Sequence, residues 1–163
     1  MEKRAKRDGK IPGAAWVCAC VFALGAAGCA AETTPLDLPF AAEDVVSAEM
    51  FHYDGAPAAA EKKDLTEPAD LEALYGLLDG LELREPAPEE VSGASVTSFR
   101  FRLADGSEYE AIYSGAGVKS GKLTVTGSSA AYETSADIGL AWSNLAQEDE
   151  PVPADADELP VIR

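Results

Sequence analysis

The chain has 163 residues, with 13 Lys and Arg against 29 Asp and Glu and a formal net charge of −16. That balance repels nucleic acid and anionic lipid head groups, so neither is expected as a partner recognised through charge. With 47% hydrophobic residues, the chain has the material for one core of ordinary domain size.

The N-terminal head is basic: Lys3, Arg4, Lys6, Arg7 and Lys10 outweigh Glu2 and Asp8. From Ile11 to Ala27 there is no charge, and small residues then precede a cysteine. A positive head, an apolar run and a small-residue cleavage point are the plan of a secretory signal peptide over residues 1–28. The run Ala26-Ala27-Gly28-Cys29 resembles the lipobox of bacterial lipoproteins, with Ala26 where Leu is usual and Leu24 two residues further back. The resemblance implies cleavage before Cys29, a diacylglycerol on its sulfur, and a place on the extracytoplasmic face of the cell membrane. Two acyl chains give stable anchoring where one does not. Two other readings of this stretch are an ordinary secretory signal and an uncleaved anchor. Ile11 to Ala31 spans 21 residues, near the ~20 that cross a bilayer, but Pro12, Gly13, Gly25 and Gly28 make it a poor span.

Cys18 and Cys20 lie in the apolar run and are expected to leave with the signal, while Cys29 carries the lipid. The mature domain is then expected to have no thiol for a disulfide or for catalysis. From Cys29 onward there are 8 Lys and Arg against 27 Asp and Glu, a net of −19. Residues 29–42, rich in Pro and Ala and read as lacking a strand or helix period, are expected to be a lipidated cysteine with a flexible spacer. A single α+β domain is expected over residues 43–147. Residues 148–163, acidic and interrupted by prolines, are expected to form a disordered tail.

Within the domain, Val45 to Tyr53 is rich in β-formers, with Val46, Ala48 and Met50 on one face and Asp54-Gly55 as its turn. Glu61 to Leu65 is a second, weaker strand. Pro68 suits a first helical turn, Leu71, Leu74, Leu77, Leu78 and Leu81 form an apolar stripe, and Gly80 fits the helix end. Val96 to Tyr113 alternates, with Thr97, Phe99, Phe101 and Leu103 on one face and Ser98, Arg100 and Arg102 on the other. A two-residue turn at Asp105-Gly106 would put Glu108 and Glu110 in the core. A three-residue loop, Ala104-Asp105-Gly106, with Gly106 left-handed, instead sets Phe101 opposite Tyr109 and Phe99 opposite Ala111. Outside, it sets Arg100 opposite Glu110 and Arg102 opposite Glu108. After a kink at Gly115 to Gly117, a strand begins at Val118-Lys119, and Ser120-Gly121 is read as a tight turn into Lys122 to Thr126. Thr134 or Ser135 is read as the cap of a last helix carrying Ile138, Ala141, Trp142 and Leu145. The fold class expected is α+β, an antiparallel meander of four to five strands with two helices on one face.

No catalytic motif stands out. His52 is the one histidine, read as a solvent-side or edge-strand residue; without cysteine or a second histidine a zinc site would need carboxylates for every other ligand. Gly115 to Gly121 superficially resembles a phosphate loop, but its Lys119 precedes the last glycine and strands follow instead of a helix. Glu89-Glu90 and Glu148-Asp149-Glu150 are paired carboxylates in loop and tail, with no cleft to hold them. Asp155, Asp157 and Glu158 lack the spacing of a calcium loop. Catalytic, metal and cofactor residues are therefore all assigned as none, and Cys29 is the single site residue, a lipidation site. The plan of the chain resembles small acidic lipoproteins of Gram-positive bacteria. The function expected is a monomeric, non-enzymatic binding or accessory module of the cell envelope, with a protein or cell-wall ligand. A small carboxylate-based hydrolase of the cell wall and a purely structural envelope protein are the alternatives.

Overall fold

The computed structural model describes residues 32–89, 92–117 and 120–162. The signal, the lipobox and Cys29, with Cys18, Cys20 and Trp16, lie outside the described residues. The elements in chain order are β1 (Thr34–Pro35), β2 (Val45–Asp54), β3 (Glu61–Leu65), α1 (Pro68–Leu78), β4 (Glu82–Leu83) and β5 (Ser95–Leu103). They continue with β6 (Glu108–Gly117), β7 (Ser120–Val125), β8 (Tyr132–Thr134), α2 (Ala141–Asn144) and β9 (Val152–Pro153).

The class is α+β, and the sheet is larger than the four to five strands expected. Seven antiparallel strands run in the order β8-β7-β6-β5-β2-β3-β9, and β1 pairs with β4 in a separate ribbon. Strands β5 to β8 do form a meander. The chain between β3 and β5 passes through α1 and β4, however, and lays β5 against β2 rather than β3.

The β5–β6 hairpin has the register that its charges and aromatics require. Arg100 faces Glu110, Phe101 faces Tyr109, Arg102 faces Glu108 and Phe99 faces Ala111. The loop closes through Gly106 N–H to the Leu103 carbonyl at 2.9 Å, with Gly106 at φ 85°. Because side chains alternate across a strand, this register commits Phe99, Phe101, Tyr109, Ala111 and Tyr113 to one buried inner face.

Both helices pack on that inner face. Leu71, Leu74 and Leu78 of α1 join the same core as Ala141 of α2. The second helix is much shorter than its stripe suggests: a 3-10 turn at Ile138–Leu140 leads into only Ala141–Asn144. Thr134, read as a helix cap, lies instead in β8, paired with Gly121 and almost fully buried. Val46, placed beside Ala48 and Met50 by alternation, is 61% exposed, because a bulge between Val45 and Ser47 inserts one residue there.

Three further expectations are corrected. Residues 34–40 are not spacer: Leu36, Leu38 and Phe40 are buried in the core, and Leu36 exchanges backbone bonds with Leu81 and Gly80 at 2.8 Å each. Ser120-Gly121 is not a turn; Gly121 is a strand residue opposite Gly115. It supplies a slot, since a Cβ there would fall on the ring of Tyr113, whose other edge lies against Gly139. The tail is not free either. Val152–Pro153 adds a strand to β3, and residues beyond it cross the outer face of the sheet to Glu110.

Candidate functional site

Two open basins adjoin each other around Pro39, Tyr109 and Thr126. The first, about 410 Å³, lies between the β5–β6 turn and the N-terminal segment, with Phe40, Asp44, Leu103, Asp105 and Glu108 around it. The second, about 400 Å³, has Leu36, Asp37, Leu83, Val125 and Tyr132. Both exist because Leu36 to Phe40 runs across the sheet, putting alternate side chains into the core and Asp37 and Pro39 on the rim. The Phe40 ring packs edge-on against Tyr109 at 5.3 Å, and the Tyr75 hydroxyl donates to the Phe40 carbonyl at 3.1 Å. Burial pushes the Tyr109 phenol up to about 12, so it stays neutral, and its ring forms a wall shared by both basins. Asp105 is held below the usual carboxylate range, chiefly by the Ser107 hydroxyl and then its backbone N–H. The linings contain Asp37, Asp44, Asp105 and Glu108 and no Lys, Arg or His. Such basins suit a ligand with apolar and cationic or hydroxyl groups.

A second cluster sits at the far end of the inner face. His52 lies on β2, an interior strand flanked by β3 and β5, so the reading of an edge or solvent-side residue is corrected. Its side chain is 21% exposed. Its Nδ1 shares a 3.0 Å hydrogen bond with Thr97 Oγ1, and its ring stacks on Trp142 at 5.3 Å. Lys63 is buried beneath the same indole, 5.1 Å from the ring centroid. Its ammonium donates to the carbonyls of Trp142, Leu145 and Ala146 at 3.2, 3.4 and 3.2 Å. A cation thus satisfies the carbonyls at the end of α2 and lies over an aromatic face. The arrangement fixes α2 and uses both side chains in doing so.

The outer face carries the third cluster. Arg100 donates through Nε to Glu110 Oε1 at 2.9 Å and through Nη1 to Glu49 Oε2 at 3.1 Å. Its Nη2 reaches the Glu158 carbonyl at 3.0 Å, and its guanidinium lies 5.6 Å from the centre of the Phe51 ring. Arg102 shares Glu49 Oε2 at 3.2 Å. Lys62 pairs with Glu158 Oε1 at 2.6 Å; that hydrogen bond holds the Lys62 ammonium above its ordinary value and the Glu158 carboxyl below its own.

Of the residues weighed as chemical candidates, Gly115 and Gly117 flank a bulge in β6, and Trp142 packs against the core as expected. Asp155 and Glu158 are engaged in the tail itself, through an Asp155 N–H to Glu158 Oε2 bond of 2.9 Å. Among the described residues no three His, Cys, Asp or Glu gather as a metal site, and no helix is long and apolar enough to cross a membrane. The reading from sequence missed Lys62, Lys63, Glu49 and Thr97, whose partners lie 45 or more residues away or on strands whose pairing is non-local. No family model, curated protein or solved structure matches the chain.

Proposed function

We propose that the chain is an extracytoplasmic lipoprotein, held to the cell membrane by a lipid on Cys29, whose domain is a non-enzymatic binding or accessory module of the cell envelope. The pair of adjoining basins at Pro39, Tyr109 and Thr126 carries the binding half of this reading. They are formed by rigid strands and a core-anchored segment, with aromatic walls and a carboxylate rim. The charged groups with the strongest contacts, Arg100, Lys62 and Lys63, are bonded within the domain. Asp105, on the rim of the first basin, is held down by the Ser107 hydroxyl, whereas a general acid needs a raised value. The lipid half rests on Ala26-Ala27-Gly28-Cys29 behind a basic head and an apolar run.

Two measurements test the two halves. Cys29→Ala is expected to move the protein out of the membrane fraction or leave it at precursor size; an unchanged share and size refutes the lipid. A photo-crosslinking residue at Thr126, on the shared rim, is expected to capture one defined envelope component on intact cells, and Tyr109→Ala to abolish that capture. Turnover of a cell-wall polymer by the purified protein, with nothing captured, would overturn the binding reading in favour of a hydrolase.

A further inference from the structure

The last eleven described residues pair with the sheet edge and lie across its outer face. Backbone recognition comes first: β9 pairs Val152 with Lys62 and Pro153 with Glu61, and Ala154 N–H donates to the Ala60 carbonyl at 2.9 Å. Addition of a strand to a sheet edge is a general mode of peptide recognition. A socket comes second, since Ala154 is buried against Phe51 and Ala60, with Leu159 packed beside them. Charge comes third. Lys62 takes the Glu158 carboxylate and Arg100 takes its carbonyl, while Glu110 Oε2 accepts the Val161 N–H at 3.2 Å.

The connection to the rest of the domain is equally defined. Ala146 is pinned, its carbonyl by Lys63 and its N–H by Asp70 Oδ2 at 3.3 Å, and it holds a strained φ of 45°. Residues 147–151, Gln-Glu-Asp-Glu-Pro, are all exposed and carry three consecutive acids. They begin in a turn closed by the Asp149 N–H on the Ala146 carbonyl at 3.2 Å; opened out, five residues reach about 17 Å, and repulsion among the acids opposes the turn. A terminal segment on a short hinge under strain is the arrangement that exchanges between copies.

We propose that the outer face around Phe51, Lys62 and Arg100 is a peptide-recognition surface whose resident ligand is the chain's own segment Val152–Ile162, and that it accepts the same segment from a second copy. The inference rests on the reading of the domain as a binding module. It is independent of the lipid, because exchange is measured between copies and lipidation by membrane fractionation.

Two variants of the full chain, each defective on one side, make the test. Ala154→Arg cannot seat its own tail but keeps the receiving face. Lys62→Glu spoils the receiving face and frees an intact tail. Each alone is expected to be monomeric by light scattering, and an equimolar mixture to form a dimer. A labelled peptide of residues 150–162 is expected to bind the Ala154→Arg chain at least tenfold more tightly than the wild-type chain, whose resident tail competes. Adding Lys62→Glu to that chain should abolish binding, and a peptide with Glu158→Lys should restore it. A monomeric mixture, or a folded Ala154→Arg chain that does not bind the peptide, overturns the proposal. Loss of the fold in both Ala154→Arg and Leu159→Asp overturns it too, since the segment would then be a structural strand and not a ligand.

Discussion

Gly121→Ala is expected to destabilise the protein, although alanine in a strand ordinarily stabilises by ~0.5–1 kcal/mol relative to glycine. The added methyl would fall on Cε2 and Cζ of Tyr113. Tyr113 is 5% exposed, and its ring lies between Gly121 and Gly139, with Cε1 3.8 Å from where a Cβ on Gly139 would stand. A trapped ring cannot swing away, so the substitution overpacks the core, which costs about 1–3 kcal/mol. The net expectation is a loss of about 1–2 kcal/mol. At a urea m-value of ~2 kcal/mol/M, the unfolding midpoint falls by about 0.5–1 M. Tyr113→Leu removes the ring and supplies the control: in that background Gly121→Ala should be neutral or slightly stabilising. The cycle then gives a coupling energy of about 1–3 kcal/mol. An equal cost in both backgrounds would refute the slot and point to backbone strain at Gly121 instead.

Gly106→Val is expected to cost more than ~1 kcal/mol in chemical denaturation, because φ 85° forces a β-branched residue into left-handed geometry. Phe40→Ala is expected to cost about 3–5 kcal/mol, as for a core aromatic and not for a spacer residue; a flexible Gly-Ser insertion between Ala31 and Glu32 should leave the unfolding midpoint unchanged. The Glu158 carboxyl, depressed by its hydrogen bond to Lys62, supports tail docking above 4.5 and loses that support as pH falls through its lower folded value. Lys62, raised by the same bond, supports docking below 10.5 and loses it as pH rises through its higher folded value. Carboxyl carbon shifts across an acid titration check this: Lys62→Gln should move the Glu158 midpoint upward.

Local signals in the sequence were strong where two constraints coincided. In the β5–β6 hairpin, the aromatic face, the opposed charges and Gly106 all demand one loop length, and the register followed. In α1, Pro68, the leucine stripe and Gly80 agree, and the helix runs Pro68–Leu78. The losses have physical causes. Leu36-Asp37-Leu38-Pro39-Phe40 does alternate buried and exposed, but prolines within so short a run mask a strand period. The tail has too little apolar area to order by itself; it is held by a sheet edge and by Lys62 and Arg100, which sequence spacing cannot bring together. The β2–β5 pairing joins Glu49 to Arg100 across 51 residues, so the outer-face cluster was half visible: Glu108 and Glu110 could be placed, Glu49 could not. Gly121 reads as a turn in the sequence because glycine signals turns and close approaches alike, and only the ring of Tyr113 distinguishes the two.

The burial of Leu36, Leu38 and Phe40 changes what a lipid on Cys29 would mean. A spacer of residues 29–42 would let the domain range freely above the membrane. With pairing already begun at Thr34, the stretch between Cys29 and β1 shrinks to residues 30–33, and five extended steps of chain cover about 18 Å at most. The β1–β4 ribbon lies beside Tyr132 of β8, where Glu32 and Thr34 share a depression with it. With the proposed lipid on Cys29, that end of the sheet would be the tethered one, and the second basin, which includes Thr34 and Tyr132, would be tethered with it. The carboxylates there, Glu32 and Glu85, outnumber Arg84, which disfavours adhesion to an anionic bilayer. With the proposed lipid on Cys29, tethering and repulsion would act at the same end of the domain, and adhesion of that end to the bilayer would be opposed by its own charge.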